Sequence, residues 1–297
     1  MRRARPARSV AAMNETPRQR LLAEIPAAEH EVLLAGVSTT VLQGGDGPPV
    51  VLLHGPGGSA VHWVHVFGQL TAAHRVIAPD LPGQGSSVVL DGRLDADRVL
   101  TWLGDLIDGT CESPPVLVGN ALGGAIAARF ACDRGDRLSR LVLVDSLGLV
   151  PFEPAPDFGA AVHAFMAQPD PSTHDQLWRH CALNLDDVRA RMGELWAAFE
   201  DYNLDRARTP SVLEALGAMM EKFAMAPIPP ADLARIGVPT TLIWGRQDLA
   251  TPLAVAEEAS ARYGWTLHVI ERCGDDPPME HPGAFLRALD APAEAAA

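Results

Sequence analysis

Residues 115–124, Pro-Val-Leu-Val-Gly-Asn-Ala-Leu-Gly-Gly, decide how the chain is read. A short apolar run, Val116–Val118, ends in a glycine, and a small-residue helical stretch, ALGGAIAARFA (121–131), begins at once. Gly119 and Gly123 stand at the outer positions of a G-x-S-x-G strand–turn–helix motif, which lifts a nucleophilic serine above a parallel sheet. Small residues are required there because the turn is tight and the helix passes close to the strand. The middle position is Ala121, and a methyl group cannot attack a carbonyl.

Working outward, apolar runs at 49–55, 75–80, 115–120 and 138–146 alternate with helical stretches at about 62–73, 95–107 and 121–131. HEVLLAG and STTVLQGG precede them as two further strands. Continuous apolar strands separated by amphipathic helices predict a parallel sheet covered on both faces. The alternation stops near residue 147 and resumes at TTLIWG (240–245), followed by a helix at 253–264, a strand at 266–274 and a helix at 281–290. PFEPAPD and PIPP bracket the helical interval as hinges. The expected organisation is a disordered leader over 1–28, in which Met13 is an alternative start, and a first core half over 29–146. A helical cap over 147–235 and a second core half over 236–291 follow, with a frayed AEAAA tail.

A net charge of −13 argues against nucleic acid and anionic membrane as partners, because both need a basic surface. No apolar run is long enough to span a bilayer, and the basic N-terminus lacks the apolar stretch of a secretory signal. Cys111, Cys132, Cys181 and Cys273 have neither metal nor disulfide spacing. They read as free thiols of a cytoplasmic protein, with no metal or cofactor expected. A small molecule is the expected partner, and a homodimer is left open.

LLHGPGG (52–58), DLPGQGSS (80–87), VGNALGG (118–124), WGRQD (244–248) and RCGDDPPMEHPGAF (272–285) together resemble the α/β-hydrolase superfamily. Among its branches the chain is most similar to capped hydrolases that cleave carbon–carbon bonds in ring-fission (meta-cleavage) products. The resemblance implies an α/β-hydrolase fold, mostly parallel with an inserted helical cap. It maps the family's acid onto Asp248, its histidine onto Asp275 and its nucleophile onto Ala121. Two of the three catalytic positions are therefore changed. Of the two oxyanion-hole amides, one falls on Leu122 and the other on Pro56, which has no N–H. Gly57 is the substitute donor if the loop is shifted. Asn120, His54 and Trp63 stand beside the site as candidate pocket residues, with loop bracing the alternative for His54 and packing the alternative for Trp63. His281, at the start of the last helix, matches a non-catalytic position.

Asp248 and Asp275 are expected to act as a coupled carboxylate pair facing the pocket, one of them protonated near neutral pH. Asp276 is expected in solvent, Cys273 as an inert buried thiol, and Ser86, Ser87 and Ser146 as loop hydroxyls without an elbow. His163, His174, Trp178, His180, Met192 and Trp196 lie on helical stretches, and the sequence does not choose which of them face the pocket. The leading functional expectation is an enzyme without acyl-enzyme chemistry, acting on an apolar oxygenated molecule by acid–base assistance. Lyase, isomerase, dehydratase and cyclase reactions all fit, in a setting of secondary metabolism suggested by analogy alone. The alternatives are a non-catalytic binding pseudohydrolase and an engineered inactive carbon–carbon bond or ester hydrolase.

Overall fold

A computed structural model describes residues 15–292. Half of the expected leader, including Met13, and the expected frayed tail lie outside them. In chain order the strands are β1 (Ala28–Leu34), β2 (Val37–Gly44), β3 (Pro49–Leu53), β4 (Arg75–Pro79), β5 (Val88–Val89), β6 (Val116–Asn120), β7 (Arg140–Val144), β8 (Thr240–Gly245) and β9 (Thr266–Ile270). The sheet runs β1-β2-β4-β3-β6-β7-β8-β9, with the short β5, absent from the sequence reading, paired to β2. From β4 to β9 every pairing is parallel; β1 and β2 form an antiparallel hairpin at one edge. Helices cover both faces. Leu117 of β6 packs with Trp102 and Ile126 of the helices Ala96–Thr110 and Leu122–Arg134. Its neighbour Val118 packs on the other face with Phe67 and Phe285. Two-sided burial explains why β3 and β8 are continuous apolar runs rather than alternating ones.

Between β7 and β8 the described residues form helices and loops without a strand. Pro156, Pro171, Pro210 and Pro230 each open a helix there, because a proline at the first position gives up an N–H that has no partner anyway. Pro156 and Pro230, which belong to the two segments read as hinges, therefore also start helices.

The expected leader needs correction over its described part. Pro17–Leu22 is a helix with a reciprocal Thr16–Gln19 capping box. Its Arg18 is buried, pairing with Asp80 at 3.0 Å and donating to the Tyr202 hydroxyl at 2.8 Å. The segment thus ties the loop after β4 to the insertion helix Leu195–Ala207.

Candidate active site

The carboxyl ends of five parallel neighbours, β3, β6, β7, β8 and β9, come together under the insertion. At the end of β6 the chain turns sharply through Ala121, at φ 45° and ψ −106°. This is a region that L-residues avoid, at a cost of roughly 1–3 kcal/mol. The turn is held by Ala121 N–H to Val144 O at 2.9 Å and by Leu147 N–H to Ala121 O at 3.1 Å. A Cβ on Gly119 would collide with the Gly123 carbonyl, and one on Gly123 with the Leu53 carbonyl. The elbow keeps its strained backbone and its two glycines while presenting only a methyl group.

Ala121 lies on the floor of a cavity of about 340 Å³, within the usual range for small-molecule sites. Asn120, Pro56, Gly57, His54 and Trp63 line it as well. Leu122 does not: it is wholly buried beneath the turn. His54 accepts from Leu81 N–H through Nε2 at 3.0 Å and donates from Nδ1 to Gly55 O at 2.8 Å, so both ring nitrogens brace the loop. Burial lowers it to about 4, so the ring is neutral.

The oxyanion side is further from function than the sequence implies. Pro56 has no N–H. The Gly57 N–H, expected as a substitute, donates to Gln84 Oε1 at 3.0 Å, and Gly58 N–H donates to Gly55 O at 3.2 Å. Gln84, in the DLPGQGSS motif, was not among the expected site residues. A buried side chain in a glycine loop carries no local signal of its partner.

The carboxylates are also rearranged. Asp275 lines the cavity, but Asp248 does not. Asp248 lies behind it, with Oδ1 accepting from Ala250 N–H at 2.7 Å and Thr251 N–H at 2.9 Å. Its other oxygen and one oxygen of Asp145, at the end of β7, have no other donor among the described residues. Burial and the Asp248 charge push Asp145 well above the carboxylate range, so the titrations of Asp145 and Asp248 are tied together. Burial raises Asp248 to about 7. Asp275 is pushed well above the carboxylate range, first by burial and then by Asp248, Asp276 and Glu280. Its backbone N–H reaches the insertion at Cys181 O, 3.0 Å away.

Asp276, expected in solvent, instead lines the cavity and is raised to about 8 by burial and then by Glu280. Glu280 is fixed by Gly274 N–H at 2.6 Å and Leu183 N–H at 2.8 Å. Five carboxyls therefore crowd one end of the cavity, two of them on its surface. Among the described residues no group of His, Cys, Asp and Glu is arranged to hold a metal ion.

Cys273 is buried away from the cavity, its thiol pushed up by burial; the thiol on the wall is Cys181. Ser86, Ser87 and Ser146 do not line the cavity, and the hydroxyls of Ser87 and Ser146 bond backbone carbonyls. His281 bonds Arg272 O instead of facing the cavity. Of the insertion candidates, His174 and Trp178 line the wall, whereas His163, His180, Met192 and Trp196 do not.

The profile of the alpha/beta hydrolase family matches residues 50–288. The chain is 32% identical over 257 residues to the pimeloyl-[acyl-carrier protein] methyl ester esterase of Chromobacterium violaceum, covering 82% of this chain and 94% of that one. It is 26% identical to the 2-hydroxy-6-oxo-6-(2'-aminophenyl)hexa-2,4-dienoic acid hydrolase of Metapseudomonas resinovorans, covering 88% and 89%. The solved structure of a 2-hydroxy-6-oxo-6-phenylhexa-2,4-dienoate hydrolase from a Rhodococcus species superimposes with a TM-score of 0.74 at 25% identity, covering 89% and 98%. No helix among the described residues is long and apolar enough to cross a membrane.

Proposed function

The chain belongs to the alpha/beta hydrolase family, and from that premise we propose that it keeps the family's scaffold without its acyl-enzyme chemistry. It binds an apolar, oxygenated small molecule beneath the helical insertion. It promotes a proton-transfer reaction there, of lyase, isomerase, dehydratase or cyclase type. One observation carries this reading: the Ala121 methyl occupies the elbow while the carboxyls of Asp275 and Asp276 share its cavity.

A hydrolase needs a nucleophile, a base and two oxyanion donors acting as a unit. Here Ala121 supplies no nucleophile and Asp275 stands where the base would be. The loop amides after His54 are absent or engaged. What remains suits acid–base work. Asp276, held near 8, is protonated at neutral pH and can donate to a substrate oxygen. The Asp145–Asp248 pair behind Asp275 holds negative charge close to it, keeping its proton on. Asp248 is a positioning residue in this scheme rather than one that touches substrate.

Two experiments test the reading. A fluorophosphonate probe followed by intact-protein mass should leave the chain unlabelled, and 4-nitrophenyl acetate should turn over at background rate. In D₂O the protein should accelerate exchange of the α-protons of a neutral aryl methyl ketone, 2-acetylnaphthalene, with Asp276 donating to the ketone oxygen while solvent takes the α-proton, and Asp275→Asn with Asp276→Asn should abolish this. A stoichiometric phosphonyl adduct would refute the loss of nucleophile. Exchange no faster than in buffer would refute the acid–base role.

A further inference from the structure

We propose that the cavity selects an uncharged aromatic carbonyl or phenol and rejects carboxylates, although some relatives carry the names of dienoic acid hydrolases. The inference rests on the functional reading above for its chemistry, but its test is one of binding alone.

The walls are apolar and aromatic, with Phe158, Phe165, Trp178, Leu216 and Met220 facing the space above Ala121. Arg206 is the sole lysine or arginine among the described lining residues. Its guanidinium is engaged, with Nε and Nη2 on the Asp205 carboxylate at 3.2 and 2.5 Å and Nη1 on Gly85 O at 3.1 Å. The lining histidines supply no cation either. His54 has both nitrogens committed to the loop, and His62 accepts from Ser59 N–H through Nδ1 at 3.1 Å. His174 is wrapped by Phe165, Trp178, Trp196 and Phe199. Burial holds all three rings neutral. An anionic ligand would thus lose its hydration without gaining a cation, and would share the floor with Asp275 and Asp276.

Neutral oxygens meet the opposite situation. Trp63 and Asn120 line the cavity, and the Trp63 indole N–H and the Asn120 amide nitrogen are buried with no hydrogen-bond partner among the described residues. Asn203 Nδ2 lies 3.2 Å from His174 Nε2, which assigns the ring proton to Nδ1. That Nδ1 is also buried with no partner among the described residues, on a residue 1% exposed. The three donors sit on a 3₁₀ turn, the elbow and an insertion helix. Single donors on separate elements suit separate carbonyl or hydroxyl oxygens rather than the adjacent oxygens of one carboxylate.

Equilibrium dialysis of the full chain at pH 7 against 2-acetylnaphthalene, naphthalene and 2-naphthoate tests this. The ketone should bind about fivefold more tightly than the hydrocarbon, the increment of one neutral hydrogen bond. It should bind at least tenfold more tightly than the carboxylate. His174→Phe should lower the ratio of ketone to naphthalene affinity. Should that variant not fold, the ranking of the three ligands in the unaltered protein decides by itself. Equal or tighter binding of 2-naphthoate, or no binding of the ketone, would overturn the inference. Naphthoate binding that disappears in Arg206→Met would do so as well, and would give the arginine to a substrate carboxylate. Exchange of the ketone's α-protons is scored at the saturating concentration that dialysis defines, and phosphonate labelling needs no ketone at all, so failure to bind and failure of the functional reading are told apart.

Discussion

Replacing Asp276 by asparagine should stabilise the protein at high pH and do little at low pH. In the folded chain Asp276 is raised from 3.8 to about 8, by burial first and then by Glu280. Below about pH 3.8 the carboxyl is protonated in both states and contributes nothing to the difference. As pH rises towards 8 the unfolded chain ionises while the folded one holds its proton, so stability is lost; above 8 the full cost is present. At 1.36 kcal/mol per pH unit this range corresponds to about 5–6 kcal/mol for a dry site. Asp276 borders a cavity that admits water, and its partial exposure reduces the figure to roughly 2–3 kcal/mol. An asparagine side chain at this position carries no charge to bury. Asp145, Asp248, Asp275, Glu280 and Cys181 face the same end; Asp145, Asp275 and Cys181 are raised in part by the Asp276 charge, so its removal relieves them in the same direction and the difference between variant and parent reports Asp276 with its couplings. Urea unfolding at pH 5 and pH 9 is the assay. The advantage of Asp276→Asn should be about 1 kcal/mol or less at pH 5 and about 2–3 kcal/mol at pH 9. An equal difference at both pH values, or a variant less stable at pH 9, would show an ionised, hydrated Asp276 and would remove the proton donor from the proposed mechanism.

Ala121→Ser alone should leave nitrophenyl ester hydrolysis at background, because a serine hydroxyl without a base is a poor nucleophile. Ala121→Ser with Asp275→His should give weak activity, held about 100- to 1,000-fold down by the Pro56 position that lacks an oxyanion donor. Robust hydrolysis by the single variant would contradict the site description. Arg18→Ala should cost about 3–5 kcal/mol in chemical denaturation, because it strands the buried Asp80 carboxylate; a loss below about 1 kcal/mol would mean that the N-terminal helix does not hold the loop after β4. Gly119→Ala should prevent soluble expression or lower the melting temperature by more than about 8 °C, since its Cβ meets backbone that cannot give way.

Much of the architecture was legible because it is written in local pattern. The apolar runs that became β3, β6, β7 and β8 are continuous because both their faces are buried, and that requirement shows in any window a few residues long. Gly119 and Gly123 were readable for the same reason: strand, turn and helix are adjacent in sequence, so the steric demand is local. The absent nucleophile at Ala121 was likewise visible without coordinates. The chemistry of the carboxyl end was not. Asp145 ends an unremarkable apolar strand. It reaches Asp248 only because β7 and β8 are neighbours in the sheet, although the whole helical insertion separates them in the chain. Asp276 faces the cavity, and Gln84 occupies the Gly57 amide, through contacts between loops from different crossovers. The Pro17–Leu22 helix is short and lies in a stretch that reads as leader, and its place depends on Arg18 finding Asp80 and Tyr202 far along the chain. The sheet, the elbow and the missing nucleophile are written in local pattern, because propensity, burial and steric fit act over a few residues. Which acids are coupled and which loop amides are engaged follows from distance in space, and strand order rather than chain order sets that distance.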